Sequence, residues 1–304
     1  MWHHLLKDLQ AGDVKTLARL ISLVENEVEG YEAFLQTLPH NDKTKIIGIT
    51  GPPGAGKSTL VDALIGELIS DEKRVAVLCV DPSSPFNLGA VLGDRIRMSD
   101  WYINPAVFIR SLATRGAMGG LHPKIIEITE VIKAAQYDYI IVETVGVGQS
   151  EIEIAGLADT TVVVVVPEAG DEVQTMKAGL MEIADVFVVN KSDRPDADIF
   201  VRNLRLMLAP AFSRRSFEVA VVKTVASQGT GVVELYAAVQ KHAALGLNHE
   251  KRAWLLAEKA YHLIQQARMK PFSKLELKAK IEGLGAEVNL YGFVQSVLSK
   301  TKFS

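Results

Sequence analysis

One stretch restricts the fold more than any other. The apolar run Ile46-Ile47-Gly48-Ile49-Thr50 leads into Gly51-Pro52-Pro53-Gly54-Ala55-Gly56-Lys57-Ser58-Thr59, and helix-forming residues follow from Leu60 to Ser70. Strand, GxxxxGKS loop and helix in that order are the context that gives this spacing its meaning. The glycines let the backbone curl so that successive N–H groups point inward at phosphate oxygens. The following helix adds the positive end of its dipole. Lys57 is then placed to reach the β- and γ-phosphates, and the Ser58 hydroxyl to ligate Mg²⁺. Gly51 to Thr59 are therefore candidate nucleotide-binding residues, and Lys57 a catalytic one. A plain glycine-rich turn between a strand and a helix would need neither the lysine nor the hydroxyl in register.

The rest of the chain has the texture such a loop requires. Short β-branched runs at 46–50, 75–80, 107–111, 139–142, 161–166, 186–189 and 217–222 alternate with helix-length amphipathic segments. Runs apolar on both faces suit a parallel sheet covered by helices. The fold class expected is α/β, a doubly wound, mostly parallel sheet with helical N- and C-terminal extensions. Val14, Leu17, Ile21 and Val24 recur at helical spacing behind Asp13 as N-cap, and Val28, Tyr31, Leu35 and Leu38 continue the pattern. Pro39 to Asp42 breaks it. The expected division is a helical extension over 1–43, a nucleotide-binding domain over 44–245, and a helical arm over 246–304.

Charge and composition exclude several classes of partner. The 304 residues carry a net charge of −3, so no global basic field attracts nucleic acid or an anionic membrane. The single cysteine, Cys79, lies in the apolar run 75–80 and reads as a core thiol. The start MWHHLLKDLQ lacks the order of a signal peptide, and no apolar run is long enough to span a bilayer. Together these lead to a cytoplasmic expectation.

Asn190-Lys191-Ser192-Asp193 follows the run 186–189. In this NKxD pattern the Asp193 carboxylate can accept two hydrogen bonds, from guanine N1–H and from the exocyclic amine. Adenine offers neither donor there, and a carboxylate facing it would be left unpaired. Asn190 is expected to tie the segment to the phosphate loop, and the Lys191 stem to cover the base. Ala226-Ser227-Gln228, before Gly229, fits a backbone segment contacting the guanine oxygen, although Ser-x-Gly is also ordinary turn chemistry. Two acids stand at strand ends. Asp81 closes 75–80, where it can hold Mg²⁺ or shape an Asp-Pro turn; Glu143 closes 139–142. Glu143 is a second candidate catalytic and metal residue, and Gly146 after it could let its N–H approach the γ-phosphate. Asp94, in Leu92-Gly93-Asp94-Arg95, suits either a metal or a helix cap.

The strings GPPGAGKST (51–59), VDPSSPF (80–86), LGDRIRM (92–98), TRGAMGGL (114–121), ETVGVGQSE (143–151), GDEVQTMKAG (170–179) and NKSD (190–193) resemble those of the MeaB/ArgK-type GTPases, chaperones of cobalamin-dependent methylmalonyl-CoA mutase. The resemblance covers roughly 1–245 and fades after about 250. It implies a P-loop GTPase of the signal-recognition-particle-like class, hydrolysing the γ-phosphate of GTP with Mg²⁺ held around Ser58, Asp81, Asp94 and Glu143. It also implies that Gly170 to Gly179 is a switch in which Asp171, Gln174 and Lys177 support partner-stimulated hydrolysis; on residue types alone the same stretch reads equally as a solvated loop. The implied partners are a cobalamin-dependent acyl-CoA mutase and a second copy of the chain, joined through the C-terminal helices. The cobalamin-binding pattern Asp-x-His-x-x-Gly is missing, since His122 lacks the preceding acid, so no cobalamin is expected on this chain alone. The competing expectations are a metallochaperone GTPase and a transport-linked kinase of the same branch. Against the first stand seven scattered histidines and one cysteine; against the second, the lack of an identifiable acceptor site.

Overall fold

The computed structural model describes residues 2–81, 98–114, 121–144, 150–167, 178–212, 217–246, 249–269, 272–284 and 289–300. They form two compact units, 1–251 and 252–304.

The first unit is built on seven parallel strands: β1 (Lys45–Thr50), β2 (Val75–Asp81), β3 (Val107–Ala113), β4 (Tyr139–Glu143), β5 (Thr160–Val165), β6 (Val186–Val189) and β7 (Ala220–Lys223). Their order across the sheet is β3-β2-β4-β1-β5-β6-β7. Strands β2, β4, β5 and β6 are buried along their whole length. That is the reason their sequences are largely apolar runs rather than alternating ones. Helix α4 (Lys57–Ser70) buries Leu60, Val61, Leu64, Ile65 and Leu68 against this sheet. Cys79 is buried in the same core. β1 sits between β4 and β5, so the loop leaving its carboxyl end opens where successive crossovers diverge, the place where α/β sheets bind ligands.

The N-terminal residues belong to this unit. Helix α1 (Trp2–Gln10) packs on α2 (Val14–Glu25), and α2 packs on α5 (Ile125–Ala134). The Asp13 carboxylate caps α2 by accepting from the N–H groups of Lys15 and Thr16. Hydrogen bonds from the Thr16 hydroxyl and backbone hold it below the usual carboxylate range. The expected continuation of helix to Leu38 is interrupted. Glu27 and Gly30 take positive φ, and only Tyr31–Leu35 (α3) is helical. The turn seats Phe34 in the core, with Trp2 stacked on it at 5.0 Å.

The last strand also differs from its expected range of 217–222. Phe217 packs against the His242 ring at 4.8 Å, and pairing with β6 begins only at Ala220. The remaining helices of this unit are α6 (Ser150–Leu157), α7 (Ala178–Ile183), α8 (Ala197–Phe212) and α9 (Val232–Ala243). α10 (His249–Met269) begins at its end and runs into the second unit, which also holds α11 (Lys274–Glu282) and α12 (Leu290–Lys300). Trp254, Tyr261, Ile264, Leu275 and Tyr291 are exposed there. Among the described residues no helix is long and apolar enough to cross a membrane.

Candidate functional site

The phosphate loop leaves β1 through Thr50 and closes at the first turn of α4. Two of its glycines are required by close approach. Gly51 has φ +144°, and a Cβ there would run into the Val164 carbonyl of β5; Gly56 has φ +86°, and a Cβ there would run into the Asn190 amide. Ala55, Lys57 and Ser58 are buried, while Pro53 and Gly54 are exposed at the tip. Pro52, Gly56 and Thr59 are partly exposed. The Lys57 ammonium donates to the carbonyls of Gly51 at 3.0 Å and Pro52 at 3.2 Å, so its charge is held inside the curl of the loop.

The acids at the strand ends lie on the same carboxyl edge. Glu143 and Asp81 are both buried, at 4% and 6% exposure. β2 and β4 pair with Cys79 opposite Glu143, which sets Asp81 two residues further along the edge. The Ser58 hydroxyl donates to Glu143 Oε1 at 2.7 Å. Beside them the Thr144 hydroxyl donates to that of Thr50 at 2.9 Å. A hydroxyl and two buried carboxylates beside a phosphate loop are a hard, all-oxygen donor set of the kind Mg²⁺ prefers. Ser58, Asp81 and Glu143 therefore fit that ion. Asp94, Gly146, Asp171, Gln174 and Lys177 lie outside the described residues.

The base-reading segment is joined to the phosphate loop through one buried side chain. Asn190 Nδ2 donates to the Ala55 carbonyl at 2.9 Å. Its Oδ1 accepts from the Thr224 hydroxyl at 3.0 Å and from Ala226 N–H at 3.1 Å. With both of those donors on Oδ1, the amide orientation is set. Lys191 takes φ +57° and its ammonium donates to the Gly54 carbonyl at 2.8 Å, which lays the stem across the loop. Asp193 is exposed at the rim. Ala226–Gln228 forms a single 3₁₀ turn closed by Gly229, with Ala226 buried and Ser227 and Gln228 exposed. The structure thus brings residues 51–59, 190–193 and 226–228 to one edge of the sheet, with Asp81 and Glu143 on the neighbouring strands.

Sequence reasoning missed Thr224. Its hydroxyl holds Asn190, and its carbonyl accepts from Ser192 N–H at 3.0 Å, so it fixes the base-reading segment at two points. Only its position directly after the last strand marks it in the sequence.

Comparison with known proteins agrees with this geometry. The model of the family described as methylmalonyl Co-A mutase-associated GTPase MeaB matches residues 17–274. A Pyrococcus horikoshii protein provisionally named a GTPase is 47% identical over 242 residues, which are 78% of this chain and 76% of that protein. The Escherichia coli GTPase ArgK is 42% identical over 193 residues, 62% of this chain and 58% of its own. The fused isobutyryl-CoA mutase of Geobacillus kaustophilus is 37% identical over 238 residues, 73% of this chain but 22% of the mutase. Among solved structures, a LAO/AO transport system kinase superposes with a TM-score of 0.69 at 26% identity, covering 98% of this chain and 96% of its own. A phosphate loop, an asparagine that welds it to an NKxD segment, and a family match across most of the chain lead to one conclusion: this protein is a P-loop GTPase and belongs to the MeaB family.

Proposed function

We propose that this GTPase is a chaperone of a cobalamin-dependent acyl-CoA mutase, using GTP hydrolysis to gate the loading or protection of adenosylcobalamin. The observation that carries the reading is the fused isobutyryl-CoA mutase, in which a 238-residue stretch similar to this chain is part of a mutase polypeptide. A GTPase domain tethered to a mutase in one chain supports association with a mutase where the two are separate.

The chain's own residues divide the work. Residues 51–58 hold the phosphates, Asp193 reads the base, and Ser58, Asp81 and Glu143 hold Mg²⁺, with Asp94 added from sequence. When bound, that ion neutralises charge developing on the β- and γ-phosphate oxygens. Val147 follows Gly146, so no glutamine stands there to orient water, and hydrolysis by the chain alone is slow. Lys177 supplies the missing charge when a mutase orders Gly170 to Gly179, with Asp171 and Gln174 supporting it. An arginine supplying such a charge is worth roughly 10³–10⁵ in rate. Ordering a loop costs conformational entropy that partner binding offsets, and the resulting coupling between nucleotide and partner is reciprocal.

Single-turnover hydrolysis with and without a purified mutase tests this. The wild type is expected to accelerate in the presence of mutase, and Lys177→Ala to lose most of that acceleration while binding GTP normally. Full stimulation of Lys177→Ala rejects the switch role, and a wild type that no cobalamin-dependent mutase stimulates rejects the chaperone role. A kinase linked to transport would instead leave the γ-phosphate on an acceptor, so release of inorganic phosphate separates the two readings.

The proposal includes a homodimer formed through the residues after 250. The exposed Trp254, Tyr261 and Ile264 of α10 are apolar surface that favours burial against a second copy. A chain ending at Lys251 retains the lysine that, in the full chain, pairs with the buried Asp185 at 3.4 Å. It is expected to sediment as a monomer; a dimer would place the interface elsewhere.

A further inference from the structure

The strand order divides the site into two halves. β1 leads into the phosphate loop with Ser58, and β6 and β7 into the NKxD and 226–228 segments, while β4 and β2 end in the acids Glu143 and Asp81, with β3 flanking β2. β3 lies at the outer edge of the sheet and, among the described residues, pairs with β2 alone. Its last described residue beyond the strand, Thr114, donates its N–H to the carbonyl of Asp81 at 3.0 Å. The backbone that presents Asp81 is thus held partly by the end of β3.

The N-terminal extension grips this half. Arg110, opposite Leu78 in the β2–β3 register, donates through Nη2 to the Glu25 carboxylate at the last position of α2, and to the Ser22 hydroxyl at 3.1 Å. Glu25 Oε1 faces His122 Nε2 at 3.8 Å. His122 is 2% exposed, and its Nδ1 accepts from Lys124 N–H at 3.0 Å. That acceptor role puts the ring proton on Nε2, the nitrogen nearer Glu25. Next to it, the Lys124 ammonium pairs with Glu27 at 2.7 Å and bonds the Tyr31 hydroxyl at 3.1 Å. The end of α2 therefore clamps β3 on one side and the residues leading into α5 on the other. β3 pairs with β2 along the register that ends at Asp81 and Ala113, and among the described residues none of these contacts reaches β5, β6 or β7.

We infer that Glu25 and Arg110 are positioning residues for the metal half of the site: the N-terminal helices tune Mg²⁺ binding and leave guanine recognition untouched. The inference rests on the assignment of Asp81 to the metal environment. It makes 1–43 a control element of the GTPase, because anything that engages α2 alters the metal response through β3.

The test uses the full chain and two binding measurements with a fluorescent GDP. The first is the Mg²⁺ concentration that half-maximally slows its release; the second is its affinity in EDTA. Glu25→Gln is expected to raise the Mg²⁺ concentration roughly three- to thirty-fold, the span of coupling through packed networks. Affinity in EDTA should stay within about twofold, as for sites that do not share partners. Arg110→Lys keeps a cation opposite Glu25 and should recover much of the wild-type response. If Glu25→Gln does not fold, Arg110→Gln breaks the same contact from the strand side. An unchanged Mg²⁺ response, or an equal loss in EDTA, overturns the inference. Asp81→Asn reports on the metal assignment separately. A shift there without one in Glu25→Gln removes only the N-terminal role, whereas no shift in Asp81→Asn removes the metal assignment and the inference with it.

Discussion

Lys57→Ala is expected to reduce GTP hydrolysis by about 10²–10³, the scale on which a single preorganised charge or donor at a reacting group contributes. Lys57 is 7% exposed and its ammonium is held between the Gly51 and Pro52 carbonyls, inside the curl of the loop. Alanine removes the one positive charge that the loop itself places there and leaves the Gly51 and Pro52 carbonyls without that donor. Binding should weaken for both nucleotides and more for GTP than for GDP, because the lysine addresses the γ-phosphate as well as the β. Single-turnover release of phosphate, alongside a thermal melt to show that the fold is intact, measures the effect. A variant that hydrolyses GTP at the wild-type rate would refute the phosphate-loop assignment.

Asp193→Asn should weaken GTP binding by about 10²- to 10⁴-fold, the loss of two hydrogen bonds to a charged acceptor at roughly 1.5–3 kcal/mol each. It should also create a preference for xanthosine triphosphate, whose 2-oxo group accepts from the new amide. The effect is confined to the base, because Asn190 keeps its bonds to Ala55, Thr224 and Ala226 whatever occupies position 193. Competition of GTP, ATP and xanthosine triphosphate against a fluorescent nucleotide provides the measurement. An unaltered preference for GTP over ATP would remove Asp193 from base recognition.

The residues most legible in the sequence are those whose chemistry demands contiguity. A phosphate loop needs its glycines, lysine and hydroxyl on one short backbone segment, so 51–59 and the strand before it stand out. The buried strands were legible for a related reason: a strand covered on both faces is apolar along most of its length, as 162–165 is. Boundaries were less so. The expected strand at 217–222 begins at Ala220, since Phe217 is drawn off to pack on His242, a residue with no mark in its local sequence. The expected helix beyond Glu25 breaks because a cluster of acids and Gly30 permits the turn that brings Phe34 and Trp2 together.

The sequence by itself determined that the chain has a GxxxxGKS loop after a strand, an NKxD segment, acids at strand ends and a covered parallel sheet, because each is written in local composition and spacing. Tertiary structure alone decided how these segments meet. Asn190 finds Ala55 across 135 residues and Thr224 across 34, and Glu25 finds Arg110 across 85. Nothing in periodicity specifies such partners. They follow from the strand order β3-β2-β4-β1-β5-β6-β7, which depends on how well distant apolar faces bury one another. The same order sets the N-terminal helices on the β3 side of the sheet, at the opposite end of the strand order from β6 and β7. A polar side chain buried by that packing must then bond to whatever donor or acceptor the neighbouring strand presents, because leaving it unpaired costs more than the bond contributes in water.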